Sequence, residues 1–153
     1  RSLVGSEMCI RDRVLDIVIE GTVLNHCVHT CDYYFERIQK DESYLFFLRR
    51  SCQLDVPWYT LEVEPSGNIR QKRTTGDNQN ADFQKAIKFL EKWQQYFRKQ
   101  LTEEEKQLGE KANKLRIENY ANLRKNGNKI WHGKLAGQLL ADVLEQDFME
   151  ATV

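Results

Sequence analysis

The sequence is poor in the residues that mark several protein classes. Two prolines and eight glycines among 153 residues exclude collagen-like repeats and a proline-rich linker. Four cysteines without a secretion signal do not make a disulfide framework, so we expect a reducing, cytoplasmic environment. No apolar run reaches the length of a membrane span, and we therefore expect no membrane partner.

Net charge is also absent, because 23 basic side chains balance 23 acidic ones. This balance argues against bulk electrostatic attraction to nucleic acid or anionic lipid. The sequence is 41% hydrophobic and 30% charged, which is typical of a soluble globular protein. The length suits one domain with its own core, and composition alone indicates no reaction.

Residues 1–13, RSLVGSEMCIRDR, differ in character from the rest of the chain. The string resembles translated sequencing-adapter read-through, and Met8 lacks the apolar run that a signal peptide needs. We expect a non-native leader over 1–13 and a single domain over 14–153. On this interpretation the domain is the C-terminal fragment of a longer protein.

Hydrophobic periodicity predicts an α+β fold that begins with an N-terminal helix. Apolar residues recur at spacings of three and four from about Leu24 to Lys40. Aromatic and β-branched residues then predict strands over 43–50 and 57–64, followed by a third strand over 69–75. These segments would form a three-stranded antiparallel meander.

Three C-terminal helices are predicted after the sheet. The first begins at Asn80 or Asp82, and the second begins at Thr102, where Glu105 completes a capping box. The last helix is predicted from about Lys134 to Ala151. The order of one helix, three strands and three helices is typical of an α+β domain.

The segment Glu64-Pro65-Ser66-Gly67-Asn68 predicts the register of the second and third strands. Pro65 presets φ for the first turn position, and Gly67 supplies the left-handed residue of a three-residue hairpin loop. The loop would pair Glu64 with Asn68, so that Glu62 would face Arg70.

The same register distributes the polar side chains over the two faces of the sheet. Gln71 and Arg73 would share the face of Leu61, whereas Thr60 and Glu62 would point the other way. Polar groups on a covered face need partners.

The densest group of reactive side chains is His26-Cys27-Val28-His29-Thr30-Cys31. Imidazoles and thiols are the ligands that zinc prefers. On a helix, however, Cys27 and Cys31 share one face from which His26 and His29 point away. Both cysteines also fall on the apolar stripe, so core packing is favoured over a Cys27–Cys31 metal site, and we expect no metal and no cofactor.

Cys27 and His26 are also the candidates for nucleophilic catalysis. A thiol in the first turn of a helix has its pKa lowered by the helix dipole. Neighbouring helical side chains diverge by about 100°, so the base would come from elsewhere in the fold.

Basic and aromatic residues alternate along the predicted sheet, a pattern that can bind single-stranded nucleic acid. They are Arg49, Arg50, Trp58, Tyr59, Arg70, Lys72 and Arg73. Asp55, Glu62 and Glu64 lie on the same strands, and these acidic residues favour a solvated, salt-bridged face instead.

Several short motifs, in order, resemble the PcfJ family, which is named for a protein of conjugative plasmids. The resemblance covers about residues 20–98. The motifs are Leu24-Asn25-His26-Cys27-Val28, the strand from Tyr44 to Arg49, Tyr59-Thr60-Leu61-Glu62-Val63, then Gln71, Gly76 and Asn80. The resemblance implies a role in a plasmid, phage or other mobile element, and it brings no established activity.

The positions that match the family's polar residues are His26, Cys27, Thr60, Glu62, Gln71 and Asn80. The sequence departs from the family at His29 and Cys31, where members usually have Gly and Tyr, and this weakens the metal interpretation.

Two interpretations of the polar residues remain open. His26, Gln71, Arg73 and Asn80 would converge in a small binding pocket if the first helix packs on the sheet, or they would form a buried network that sets the strand register. We expect an accessory domain that binds a protein or nucleic-acid partner. The alternative is a Cys/His-dependent enzyme built on His26 and Cys27.

Overall fold

The computed structural model describes residues 2–3, 6–10, 32–50, 52–53, 55–73, 86–131 and 133–151. Within these ranges, five strands form one antiparallel sheet in the order β1-β2-β3-β4-β5, accompanied by four α-helices. The strands are β1 (Ser2–Leu3), β2 (Ser6–Ile10), β3 (Tyr44–Arg49), β4 (Tyr59–Val63) and β5 (Ile69–Arg73). The helices are α1 (Asp32–Gln39), α2 (Ile87–Lys99), α3 (Glu103–Lys125) and α4 (Leu140–Ala151).

The predicted α+β class and the antiparallel meander of β3, β4 and β5 are confirmed. The predicted first helix ends where α1 ends, although its beginning lies outside the described residues. The structure adds two strands from residues 1–13: β2 pairs with the edge of β3 that β4 leaves open, and β1 pairs with β2.

One face of the sheet is apolar and packs against α2. Side chains alternate between the faces of a strand, so every second residue of β3 and β4 points to this side, while Leu45 and Phe47 of β3 lie on the opposite face beside Glu62 and Thr60. The buried members of this core are Phe46, Leu48, Trp58, Tyr59, Leu61, Val63, Ile69, Ala86, Phe89 and Leu90. The ring of Phe46 meets those of Trp93 and Phe97 edge-on, with centroids 5.2 and 6.4 Å apart, and these contacts hold α2 against the sheet.

The helix α3 begins at the predicted capping box. The Thr102 hydroxyl accepts from the Glu105 backbone amide at 3.2 Å, and the Glu105 carboxylate accepts from the Thr102 amide at 2.7 Å. Two backbone donors that the first turn leaves without partners are thereby satisfied.

The predicted turn between β4 and β5 is also confirmed. The Glu64 amide donates to the Asn68 carbonyl at 2.8 Å, and the Gly67 amide donates to the Glu64 carbonyl at 2.8 Å. Gly67 has φ of 89°, a left-handed conformation that favours glycine.

The register predicted beyond this turn is wrong by one residue. Val63 pairs with Ile69 as expected, but Glu62 then pairs with Gln71 and Thr60 with Arg73. A β-bulge between Glu62 and Val63 leaves Arg70 as an extra residue in β5. Turn geometry sets the first pair, and the bulge then shifts every later pair.

The bulge changes which residues share a face of the sheet. Gln71 and Arg73 lie opposite Glu62 and Thr60, away from the apolar face on which they were predicted. All four positions therefore belong to the second face of the sheet.

The second face is covered, whereas a solvated, salt-bridged face was expected. It contacts α4 through β5 and α1 through β3, and α3 packs against α4. Glu62 is 2% exposed and Arg70 is 4% exposed. The charges are paired, as anticipated, but they are paired inside the protein.

The last helix begins at Leu140, six residues later than predicted. An antiparallel bridge joins Lys129 to Leu139, and Gly133 and Gly137 have φ of 89° and 87°. Left-handed residues and a closed loop are incompatible with a helix over this segment.

Candidate functional site

The second face of the sheet carries a group of six charged residues that we call the charge cluster. Its members are Arg37, Glu42, Glu62, Glu64, Arg70 and Arg116. Three arginines balance three glutamates, so the cluster has no formal net charge. Since burial disfavours an isolated charge strongly, this balance is a condition for burying the group.

Glu62 lies at the centre of the cluster. Its Oε1 accepts from the Arg37 guanidinium and from the Ser43 hydroxyl, each at 2.7 Å. Nη1 of Arg70 lies 3.8 Å from the same oxygen. Glu62 therefore ties α1 and the start of β3 to the middle of β4.

Arg70, the extra residue of the bulge, joins the other elements. Its Nε donates to Oε1 of Glu64 at 2.9 Å, and its terminal nitrogens lie 3.3 and 3.4 Å from Oε1 of Glu42. It also donates to the Ala112 carbonyl of α3 at 3.3 Å. The bulge brings Arg70 and Gln71, two consecutive residues, to the same covered face.

Arg116 enters the cluster from α3. It donates to Glu64 and to Asn113, and its guanidinium lies 3.7 Å from the ring centroid of Phe148 in α4. The charge is thus held by a carboxylate on one side and by an aromatic face on the other. A separate ion pair outside the charge cluster, between Arg73 and Asp147, attaches α4 to β5.

Two carboxylate oxygens of the cluster remain unpartnered. Within the described residues, Oε2 of Glu62 and Oε2 of Glu64 are buried and have no hydrogen-bond donor. The adjoining crevice, which Gln71, Asn119 and Tyr120 help to line, has a volume of about 10 Å³. That volume matches about one water molecule and is far below the size of an organic substrate.

The side chain of Tyr120 lies at this crevice, and its pKa is shifted by burial. Burial raises the pKa of its hydroxyl, and Arg116 and Arg70 act in the opposite direction. Because its pKa is raised, the hydroxyl keeps its proton. It donates that proton to the Leu144 carbonyl at 3.4 Å, and this hydrogen bond links α3 to α4.

The structure brings together four of the predicted site residues. Thr60, Glu62, Gln71 and Arg73 lie on adjacent strands of the covered face. Their interactions are internal: Glu62 belongs to the charge cluster, Arg73 pairs with Asp147, and Thr60 and Gln71 also have partners. These contacts are the ones expected of a network that stabilises the sheet.

The other predicted site residues lie outside the described residues. They are His26, Cys27, Cys31 and Asn80. Neither the Cys27–Cys31 metal site nor the convergence of His26 and Asn80 with Gln71 is therefore tested. Among the residues that are described, no group of three or more His, Cys, Asp or Glu side chains is placed to hold a metal.

The basic and aromatic residues of the sheet are unsuited to stacking on nucleic-acid bases. Trp58 is 7% exposed and Tyr59 is fully buried. The Arg50 guanidinium lies 4.4 Å from the Trp58 ring centroid and covers what remains of that ring. Across the described ranges, no helix is long and apolar enough to cross a membrane.

The partners that complete the cluster, above all Arg116, were not predicted from the sequence. A signal was available, because Arg116 follows Gly109 and Ala112 on one stripe of α3 and all three are buried. An arginine in line with small residues on the inner face of a helix indicates a buried cation that needs carboxylates.

A comparison with family models matches residues 8–88, more than half of the chain, to the family described as PcfJ-like protein. The match includes the strands β3, β4 and β5 with Thr60, Glu62 and Gln71, and it ends within α2. Searches of the curated proteins and of the solved structures found no match.

Proposed function

Because the chain belongs to the PcfJ-like family, we propose that it is an accessory domain of a conjugative plasmid or other mobile element. On this proposal it acts in the cytoplasm by binding a protein or nucleic-acid partner.

The observation that supports binding is the internal use of the candidate polar residues on the covered face. Glu62 accepts from Arg37 and Ser43, and Arg73 pairs with Asp147, so these side chains hold elements together. The crevice beside them has a volume of about 10 Å³, whereas small-molecule sites measure about 300–1,000 Å³. The covered face is therefore better suited to supporting an outer binding surface than to holding a substrate.

The alternative, a Cys/His-dependent enzyme, depends on His26 and Cys27. It predicts that Cys27 of the native protein reacts quickly with a thiol reagent and has a pKa well below the usual value of about 8.5. Cys52, which is free and exposed, provides an internal comparison for the rate of reaction. Cys27→Ser and Cys31→Ser variants assign the signal to a residue.

A transfer assay tests the proposal in the element that encodes the chain. Deletion of the gene is expected to lower the transfer frequency, and the wild-type gene supplied in trans is expected to restore it. Cys27→Ser and His26→Ala are expected to restore transfer equally well, because the proposed function does not use a thiol or its base.

Two results would contradict this proposal. If deletion leaves transfer unchanged, the accessory role is wrong. If deletion matters but the folded Cys27→Ser protein fails to restore transfer, and Cys27 is also the fast-reacting thiol, the enzyme is the better explanation.

A further inference from the structure

The segment between α3 and α4 presents a tryptophan to solvent. Trp131 is 93% exposed, whereas Trp58 is buried and Trp93 packs on Phe46. Tryptophan is highly buried on average, so a tryptophan ring that lies almost wholly in solvent is a candidate contact for another molecule. We call the described residues 125–131 and 133–139 the Trp131 loop.

Backbone hydrogen bonds close the base of the Trp131 loop. The Ile130 amide donates to the Gln138 carbonyl at 3.0 Å, and the Gly137 amide donates to the Ile130 carbonyl at 2.9 Å. Lys129 and Leu139 form an antiparallel bridge beside them. Trp131 directly follows Ile130, whose backbone amide and carbonyl are both hydrogen-bonded. This restraint lowers the conformational entropy that is lost when the loop binds a partner.

The loop lies in a stretch of one charge sign within a protein that is neutral overall. Residues 119–141 contain no Asp or Glu. Their basic residues are Arg124, Lys125, Lys129 and Lys134. Arg124 is paired with Asp142 and Glu145 of α4. The three lysines are exposed, and none takes part in an ion pair of the described residues.

We infer that the Trp131 loop binds single-stranded nucleic acid. Trp131 stacks on an unpaired base, and Lys125, Lys129 and Lys134 neutralise the adjacent phosphates. The inference rests on the binding function proposed above and specifies its partner. It concerns residues beyond the family match, which ends at residue 88.

The surroundings of Trp131 favour nucleic acid over the other partners of an exposed tryptophan. Lysine is depleted at the centres of protein–protein interfaces, and three lysines lie within six residues of Trp131 in the sequence. Insertion into a bilayer surface needs a broad apolar face, whereas the other exposed large hydrophobic side chain of the loop is Leu135, at 44%. A single aromatic ring among lysines suits one base and its flanking phosphates.

Fluorescence anisotropy with a labelled oligothymidylate of about 20 nucleotides tests the inference. The full chain is expected to bind the single strand more tightly than a duplex of the same length. Trp131→Ala is expected to weaken binding by about 5- to 100-fold, because stacking on one base is lost. Tyr96→Ala, which removes an aromatic ring 54% exposed on α2, is the matched control and is expected to bind as wild type.

The lysines are tested by salt dependence. The Lys129→Gln and Lys134→Gln double variant is expected to lower the slope of log K against log salt by about 1.4 for a single strand. Lys99→Gln, a lysine exposed on α2, is the matched control and is expected to leave the slope unchanged.

Tryptophan emission gives a readout that a change in folding does not imitate. The oligonucleotide is expected to quench the wild-type emission through Trp131. Trp131→Phe is expected to remove the quenching and to retain most of the affinity, because a phenyl ring still stacks.

Three results would overturn the inference. They are absence of oligonucleotide binding, equal affinities of Trp131→Ala and Tyr96→Ala, and a Trp131-dependent affinity for anionic phospholipid vesicles without one for the oligonucleotide. If such a result accompanies a loss of transfer on gene deletion, the accessory function stands and the partner belongs to another class. If deletion leaves transfer unchanged, the proposed function fails whatever the oligonucleotide does.

Discussion

Glu64 lies wholly buried between Arg70 of its own hairpin and Arg116 of α3. Its Oε1 takes both guanidinium contacts, whereas Oε2 has no donor among the described residues. Bringing such a set of ions out of water costs several kcal/mol for each ion, and close pairing offsets most of that cost. If one charge is removed, its former partners stay buried without a counter-ion, and their desolvation cost lowers the free energy of unfolding.

The first prediction concerns this residue. Glu64→Gln keeps the shape of the side chain and removes its charge, which leaves two buried arginines with insufficient negative charge. We expect the free energy of unfolding to fall by about 3 kcal/mol, measured by urea denaturation.

Glu145→Gln is the matched control, because it removes the same charge from an exposed pair in which Arg124 retains Asp142. Its urea midpoint is expected to stay close to that of the wild type. Equal midpoints for the two variants would mean that water reaches Glu64 and that the charge cluster does not stabilise the fold.

At the scale of elements, α3 lies so close to the β4–β5 turn that position 109 of the helix requires glycine. A Cβ atom on Gly109 would lie 2.9 Å from Cβ of Ser66 and 3.2 Å from its backbone nitrogen. The same turn is held from α2, where Nε2 of Gln94 donates to the Gly67 carbonyl at 2.9 Å. The helices α2 and α3 thus both contact the turn that precedes the bulge.

Gly109→Ala is therefore expected to destabilise the protein although alanine is the better helix former. The gain in helix propensity is about 1 kcal/mol, and overpacking against backbone costs about 1–3 kcal/mol. We expect a net loss of stability in thermal unfolding. Adding Ser66→Gly, which removes the nearest atom, is expected to recover part of the loss.

A double-mutant cycle provides the check on this contact. If Gly109→Ala raises the melting temperature, or if Ser66→Gly recovers none of the loss, the close approach of α3 to the turn is wrong.

At the scale of the whole molecule, the sheet is covered on both faces, so every residue of β4 is buried. Among the described residues, the apolar core and the charge cluster use positions from Arg37 onward, and residues 1–13 supply the strands β1 and β2 at the outer edge of β3. The described core and ion pairs are therefore expected to form without residues 1–13.

Deleting residues 1–13 is expected to leave a cooperative urea transition with the near-ultraviolet spectrum of a packed core. The freed edge of β3 exposes unpaired backbone groups, so we also expect more self-association in sedimentation velocity. Deleting residues 140–153 is the contrasting variant. It removes Asp147 and Phe148 from Arg73 and Arg116 and is expected to abolish cooperative unfolding. If deletion of residues 1–13 alone abolishes the cooperative urea transition, these residues are an integral part of the domain.

Local interactions made much of this fold predictable. The capping box at Thr102, the turn around Gly67 and the strands β3, β4 and β5 involve residues close in sequence. Residues that lie near one another pair at low entropic cost, so their chemistry alone indicates the structure. The candidate polar residues have another origin, since Thr60, Glu62 and Gln71 follow from the resemblance to the PcfJ family and Arg73 follows from the predicted register.

The arrangement of those residues was decided by tertiary structure. Glu62 meets Arg37 across 25 positions, and Glu64 meets Arg116 across 52. The bulge at Arg70 places Arg70 and Gln71 on one face, where Arg70 meets these carboxylates, and that requirement is invisible within the hairpin. By itself, therefore, the sequence determined the strands β3, β4 and β5, the helices that follow them and the order of these elements, because they follow from local propensity and periodicity. Only the packed structure decided the register and the burial of the charges, because both depend on partners distant in the chain.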